Sequence, residues 1–273
     1  MKKIFTSLDN ILKYRSLIWQ LTLNDLKIRY RNPVLGFLWS IIMPLVMSLI
    51  FKFVFSNLLR SQISDYPFYI YLIVAIFPWS YFSSSVFSSV ESIVNNRELI
   101  KKSYFPREII PFSIVLANLI NFIPVILIML LIIMFYGLNF SLLVFLLPFV
   151  VLLETVLLLG VSLLVSSLQV FLRDIKYIVQ LVLTAWLYFS PAFYSLDLVV
   201  DISDWLLRVY ILNPFTGIFT LYRIVLLEGF MDKLPTELNL LMLIIWTIFV
   251  SFAIFFIGFY VFRKNESKFV DLL

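Results

Sequence analysis

The chain has 273 residues, of which 62% are apolar and only 14% charged, with a formal net charge of +5 and a mean hydropathy of +1.03. Soluble domains carry about 25% charged residues, so this composition excludes them and describes an integral membrane protein. With no cysteine and no histidine, disulfides, thiolate or imidazole metal sites and Ser-His or Cys-His nucleophile pairs are excluded as well.

At about 100° per residue, Phe5, Leu8, Leu12, Trp19, Leu23, Leu26 and Tyr30 fall within an arc of about 60°. Asp9, Lys13, Gln20, Asn24, Lys27 and Arg31 lie together outside that arc. The pattern predicts an amphipathic helix within residues 1–33, lying in the cytoplasmic interface. Asn32 can cap the next helix, and Pro33 can take its first position, where a missing N–H costs nothing. No cleavable leader is expected, because the first apolar stretch starts only near position 33.

Six predominantly apolar stretches reach the about 20 residues that a crossing of about 30 Å requires. They are about 34–56, 66–90, 109–136, 141–168, 175–195 and 238–262. Ile109 to Leu153 is too long for one crossing, and YGLNFS (136–141) supplies a Gly-Asn turn that divides it. Continuous apolar runs exclude a closed β-barrel, whose strands alternate. The expected fold is therefore an all-α integral membrane protein of six transmembrane helices, 1–273 forming a single transmembrane domain. Both termini on one side place sixteen of the 21 Lys/Arg there. By the positive-inside rule that side is cytoplasmic, and the basic face suits anionic lipid headgroups rather than nucleic acid.

Between spans two and three, NNRELIKKSYFPREIIP (95–111) sets Leu99 and Ile100 beside Arg97, Glu98, Lys101 and Lys102. This is a short helix able to dock, or a solvated loop with ordinary flanking cations. Glu154 is the only ionisable residue deep in a span, where a carboxylate costs about 3 kcal/mol. It reads as an interhelical hydrogen bond or protonated acid, with a proton or cation site as the functional alternative. FPWSYF (77–82) and WLYFSPAFY (186–194) combine aromatic faces with hydroxyls. Phe77, Trp79, Tyr81, Phe82, Tyr188, Phe193 and Tyr194 are thus candidates for a sugar-stacking path, against the plainer role of packing. Residues 196–237 contain apolar stretches too short to cross, read as re-entrant or interfacial helices on the external side of the membrane. Asp197, Asp201 and Asp204 align on one helix face there, most simply a solvated one. No two of the six glycines are five apart, so no phosphate-cradling G-x-x-x-x-G-K-[ST] loop can be written.

Four blocks occur in order: LNDLKIRYRNPVLGFLWSIIMPLVMSLIFKFVFS (23–56), NNRELIKKSYFPREIIP (95–111), VFLRDI (170–175) and SPAFYSLD…LNPF (190–215). In these the chain resembles the membrane subunit of ABC-type polysaccharide exporters, the O-antigen, capsule and teichoic-acid export permeases. The resemblance implies a homodimer paired with two copies of a separate ATPase that binds ATP and Mg, with no cofactor or catalytic residue in this chain. It implies that 95–111 holds a coupling helix, with Arg97, Glu98, Leu99, Ile100, Lys101 and Lys102 facing the ATPase and Lys27, Arg29 and Arg31 near the same interface. It further implies that 196–230 forms a pair of gate helices and that a channel between subunits passes a lipid-linked polysaccharide across the cytoplasmic (inner) membrane. Glu154 matches no motif of that family. The competing readings are the same permease type carrying teichoic acid or another lipid-linked cargo, a membrane glycosyl- or phosphotransferase using Asp197, Asp201 and Asp204, and a proton-coupled flippase using Glu154.

Overall fold

A computed structural model describes residues 13–30, 38–54, 66–102 and 104–273. The described residues are helical, with no strand among them. In chain order the helices are α1 (Arg15–Arg29), α2 (Leu38–Lys52), α3 (Phe68–Val90), α4 (Ser92–Asn95), α5 (Arg97–Lys102), α6 (Ile109–Phe135), α7 (Leu147–Phe171), α8 (Ile175–Tyr188), α9 (Leu196–Ile202), α10 (Asp204–Leu212), α11 (Pro214–Leu226), α12 (Leu240–Glu266) and α13 (Phe269–Leu272). Single 3₁₀ turns, Leu142–Leu146 and Phe230–Lys233, precede α7 and follow α11.

Among the described residues four helices are long and apolar enough to cross a membrane: Phe68–Val90, Ile109–Phe135, Leu142–Phe171 with its 3₁₀ turn, and Leu240–Glu266. α10 and α11 together make a fifth if the bent pair is one span, but they turn by 84° at Asn213. The turn follows from LNPF. Pro214 takes the first helical position, where its ring presets the backbone angle. The Asn213 carboxamide accepts from Phe215 N at 3.0 Å and from Trp186 Nε1 at 2.8 Å, and its amide donates to Ser190 Oγ at 2.9 Å. One side chain therefore caps α11 and ties it to the end of α8. The apolar stretches expected as spans one and five appear as the shorter α2 and α8. At about 1.5 Å per residue the 14 residues of α8 reach about 21 Å.

The division at YGLNFS lies at Gly137, whose φ of 71° is costly for any residue with a Cβ. There Gly137 N donates to Met134 O at 2.9 Å and closes α6.

α3 occupies the middle of the bundle, buried from Phe68 to Phe77. Around it stand α2, α6, α7, α8 and α11. α7 and α12 approach so closely that a Cβ on Gly258 would lie 2.0 Å from Gly160 O, and one on Gly160 would lie 2.6 Å from the Phe255 backbone. Small residues admit such backbone contact between apolar helices, where no hydrophobic force draws them together.

Candidate functional site

A cavity of about 760 Å³ lies among α1, α2, α3, α6 and α8. Met43, Met47, Phe51 and Trp39 form its α2 wall, and Leu183, Leu187 and Tyr188 the α8 wall. Ser80, Ser83, Ser84, Gln180 and Thr184 add polar atoms between them. Several of these hydroxyls bond back to their own helix, as Ser80 Oγ does to Phe77 O at 2.7 Å and Thr184 Oγ1 to Gln180 O at 2.9 Å. This satisfies the donor while leaving acceptor lone pairs for a guest. The result is an apolar trough with a hydroxyl-studded flank.

Arg29 is the one charged residue lining the cavity among the described residues. Its Nη1 donates to Asn118 Oδ1 at 2.8 Å, and its Nε lies 2.8 Å from Asp25 Oδ2. Thr22 Oγ1 donates to Ser113 O at 3.2 Å and to Ile18 O at 2.8 Å. The two anchors lie seven residues apart on α1 and five apart on α6, so α1 runs alongside α6 as well as across it. α1 thus has three faces. Leu17, Ile18, Leu21, Thr22, Asp25 and Arg29 meet the bundle, Lys27 points outward, and half-exposed Trp19 belongs to the apolar arc between them. Burial beside Thr22 and α6 raises the Asp25 carboxyl above its ordinary range, and the Arg29 guanidinium pulls it back. Arg31, named with Lys27 and Arg29 from the sequence, lies outside the described residues, as do Asn32 and Pro33.

The aromatic candidates separate by burial. Phe77 and Phe82 have no exposed surface, and Phe193 has 2%. Phe82 and Trp79 pack edge-on against Phe215, at 4.7 and 4.8 Å between ring centroids. Tyr81 stacks on Phe122 at 4.7 Å, its hydroxyl 3.0 Å from Thr155 Oγ1. Trp79 and Tyr81 reach the cavity only by their edges, at 6% and 3% exposure. Tyr188 is the candidate that presents an open face to it. Tyr194 sits apart, with its hydroxyl 2.7 Å from that of Tyr210 on α10 and 3.0 Å from Tyr188 O. Trp39, Asn118 and Asn121 line the cavity and were missed from sequence. The two asparagines sit three apart in an otherwise apolar span, and that was the available signal.

Glu154 is fully buried on α7 and accepts a 2.6 Å hydrogen bond from Tyr222 on α11; its Oε1 has no partner. The cavity does not include it.

Beyond the far ends of α3 and α6, α5 turns Arg97, Glu98, Lys101 and Lys102 outward, with Lys102 bonded to Glu98 at 3.1 Å, and buries Ile100. Leu99 is half-buried. Ile100 joins Ile93, Phe105, Ile109, Phe262 and Phe269 in one apolar cluster. Around it Arg263 pairs with Glu108 at 2.6 Å, and Arg107 N donates to Glu266 Oε1 at 3.1 Å. Burial raises the Glu108 carboxyl above its usual value, with Arg263 opposing. α13 therefore packs against α5 through Phe269, a contact with no sequence motif.

An all-helical bundle with several crossing helices, an amphipathic first helix and a large lateral cavity among apolar walls is a multi-pass membrane transport protein. Residues 16–227 match the ABC-2 type transporter family, and the chain belongs to it. It is 30% identical over 254 residues to the O-antigen export system permease protein RfbA of Klebsiella pneumoniae, covering 93% of each chain. It is 34% identical over 216 residues to the RfbA permease of Myxococcus xanthus, covering 79% of this chain and 82% of that one.

Proposed function

We propose that this chain is the membrane-spanning subunit of an ATP-driven exporter that moves a lipid-linked, O-antigen-like polysaccharide outward across the cytoplasmic membrane. The observation that carries the reading is the match to O-antigen export permeases along 93% of both chains, joined to a cavity of suitable character. On this reading α2, α3, α6, α7, α8 and α12 are the six crossings, and both termini are cytoplasmic. α9 to α11 form the gate on the opposite side. The chain works as a homodimer with two ATPase subunits, which bind ATP and Mg; it has no catalytic residue of its own.

The mechanism is mechanical. Closure of the ATPase pair presses on α5 through Arg97, Glu98, Leu99, Lys101 and Lys102. Ile100 passes the displacement into the cluster formed with Phe262 and Phe269, and the Arg263–Glu108 and Arg107–Glu266 contacts carry it to α12 and α6. Helices displaced as packed units give discrete rather than graded states. Arg29 enters this scheme from inside the cavity, where it can meet a negatively charged lipid linker, while Lys27 remains on the outward face for the ATPase or anionic lipid. The aliphatic trough suits a lipid tail, and Tyr188 with the Ser80 to Ser84 flank suits the first sugars.

The test is reconstitution of the chain with its ATPase in vesicles loaded with lipid-linked glycan. Export should need ATP hydrolysis, and Leu99→Asp with Lys101→Glu should abolish stimulation of the ATPase while leaving the fold intact. Export that persists without the ATPase, or with one unable to hydrolyse ATP, overturns the reading.

A further inference from the structure

Arg223, on α11, is the largest fully buried side chain among the described residues, at 1% exposure. Its guanidinium lies over the Tyr71 ring, 3.4 Å from the centroid. Nη2 makes two long bonds, to Ala192 O at 3.3 Å and Tyr71 O at 3.5 Å, and Nε has no partner. Among the described residues no carboxylate lies within 4.0 Å of it. A guanidinium taken out of water without a counter-charge is held at a cost that a cation–π contact and two long bonds do not cover. The missing partner is an anion.

There is a place for one. Arg223 lines a cavity of about 20 Å³ together with Tyr66, Ser195, Asp197, Thr220 and Lys233. On the scale where one water needs about 10–15 Å³, this admits a water or the oxygens of one tetrahedral oxyanion, and no sugar ring. Lys233 stands over Tyr66 with its Nζ 4.2 Å from the ring centroid, so two cations and two aromatic faces converge on the space. Among the described residues Asp197 is the one acid that lines the space, and it is exposed, so water screens its charge while that of Arg223 stays unscreened.

We propose that this cavity is a binding site for a phosphate oxyanion, Arg223 supplying the buried fork of donors and Lys233 a second charge at the mouth. Arginine fits this role because its planar donors match phosphate geometry. The oxyanion can come from the phosphodiester of a bilayer lipid or from a soluble phosphate. The site lies between α3, α11 and the start of α9, apart from the large cavity, and it stands whether or not the export reading does.

The full-length protein, delipidated in a maltoside detergent that carries no phosphate, is given phosphatidylglycerol or a diacylglycerol with the same tails, and retained lipid is read by native mass spectrometry. Inorganic phosphate against chloride, read by thermal shift, is the second arm. Phosphatidylglycerol should be retained and diacylglycerol not. Lys233→Gln should weaken retention about tenfold, the size of one lost charge-assisted contact. Asp197→Asn should tighten it by removing a like charge. Retention without an effect of inorganic phosphate assigns the site to a lipid headgroup; an effect of inorganic phosphate assigns it to the free oxyanion. The proposal is overturned if neither probe binds, if Lys233→Gln and Arg223→Lys both bind as the native protein does, or if Asp197→Asn weakens binding, which would make Asp197 the counter-charge of Arg223. Lys233 is only partly buried, so its variant keeps the test open even if Arg223→Lys fails to fold.

Discussion

Removing one oxygen from Tyr222 tests what Glu154 is for. Both side chains are fully buried, and among the described residues the Tyr222 hydroxyl is the only partner of the Glu154 carboxyl, at 2.6 Å. Tyr222→Phe keeps the ring and its packing, so the change isolates the hydrogen bond. Stranding a buried acceptor costs about 1–3 kcal/mol, while hydrogen bonds between membrane helices average about 0.6 and reach about 1.7 kcal/mol. Because Oε1 is already without a partner, Tyr222→Phe leaves the whole group unsatisfied, and the expected loss is about 1–2 kcal/mol, near the top of the membrane range. Glu154→Gln retains an acceptor oxygen and should lose less than about 1 kcal/mol. Glu154→Leu combined with Tyr222→Phe removes both polar partners and should recover much of the loss, since apolar replacement of a buried pair is nearly neutral. Unfolding in mixed micelles across this cycle gives each value directly. A Tyr222→Phe variant as stable as the native protein, or a double variant that merely sums the singles, would refute an interhelical tie. The same Glu154→Gln protein should export normally; a folded variant without export would give the carboxyl proton a transport role.

Four further outcomes are expected. Gly258→Ala places a Cβ 2.0 Å from a backbone carbonyl that cannot rotate away, so it should cost at least the about 1–3 kcal/mol of core overpacking, measured by the same unfolding assay. Gly217→Ala meets mainly the Thr247 side chain, 1.8 Å from its Oγ1, and shortening that side chain by Thr247→Ala should partly rescue it, whereas no side-chain change rescues Gly258→Ala. Glu108 has a raised carboxyl because burial outweighs Arg263. The folded state therefore keeps a proton that the unfolded state releases, and stability should fall as pH rises from its ordinary value of 4.5 through the folded value. Glu108→Gln should flatten that slope in unfolding free energy measured against pH. Phe269→Ala removes a side chain with no exposure from the cluster around Ile100 and should cost about 3–5 kcal/mol, with proteolysis of the 95–111 segment rising in step.

The long helices were legible because continuous apolar runs have few other uses in a chain of this composition, and YGLNFS marked the turn between two of them in local chemistry. Other features were written in no local pattern. Arg29 lies off the polar arc of its helix, yet its place inside the cavity depends on Asn118, 89 residues away. The aromatic runs at 77–82 and 186–194 look alike in sequence, but one lies on the central helix, buried on all sides, and only the other brings Tyr188 to an open wall. Burial is set by neighbours, and a period of 3.6 residues reports one helix at a time. The same limit hid Tyr222 from Glu154, 68 residues apart, and α13 from α5.

The glycine contact between α7 and α12 also divides the protein into a stator and moving parts. Two helices whose backbones touch at Gly160 and Gly258 have no side-chain layer on which to slip, whereas α2 and α8 border the open cavity with long, deformable side chains such as Met43, Met47 and Leu187. Spin labels on the exposed positions Leu152 and Phe249 should thus report one unchanging distance through a transport cycle, an internal ruler for the displacement of every other wall.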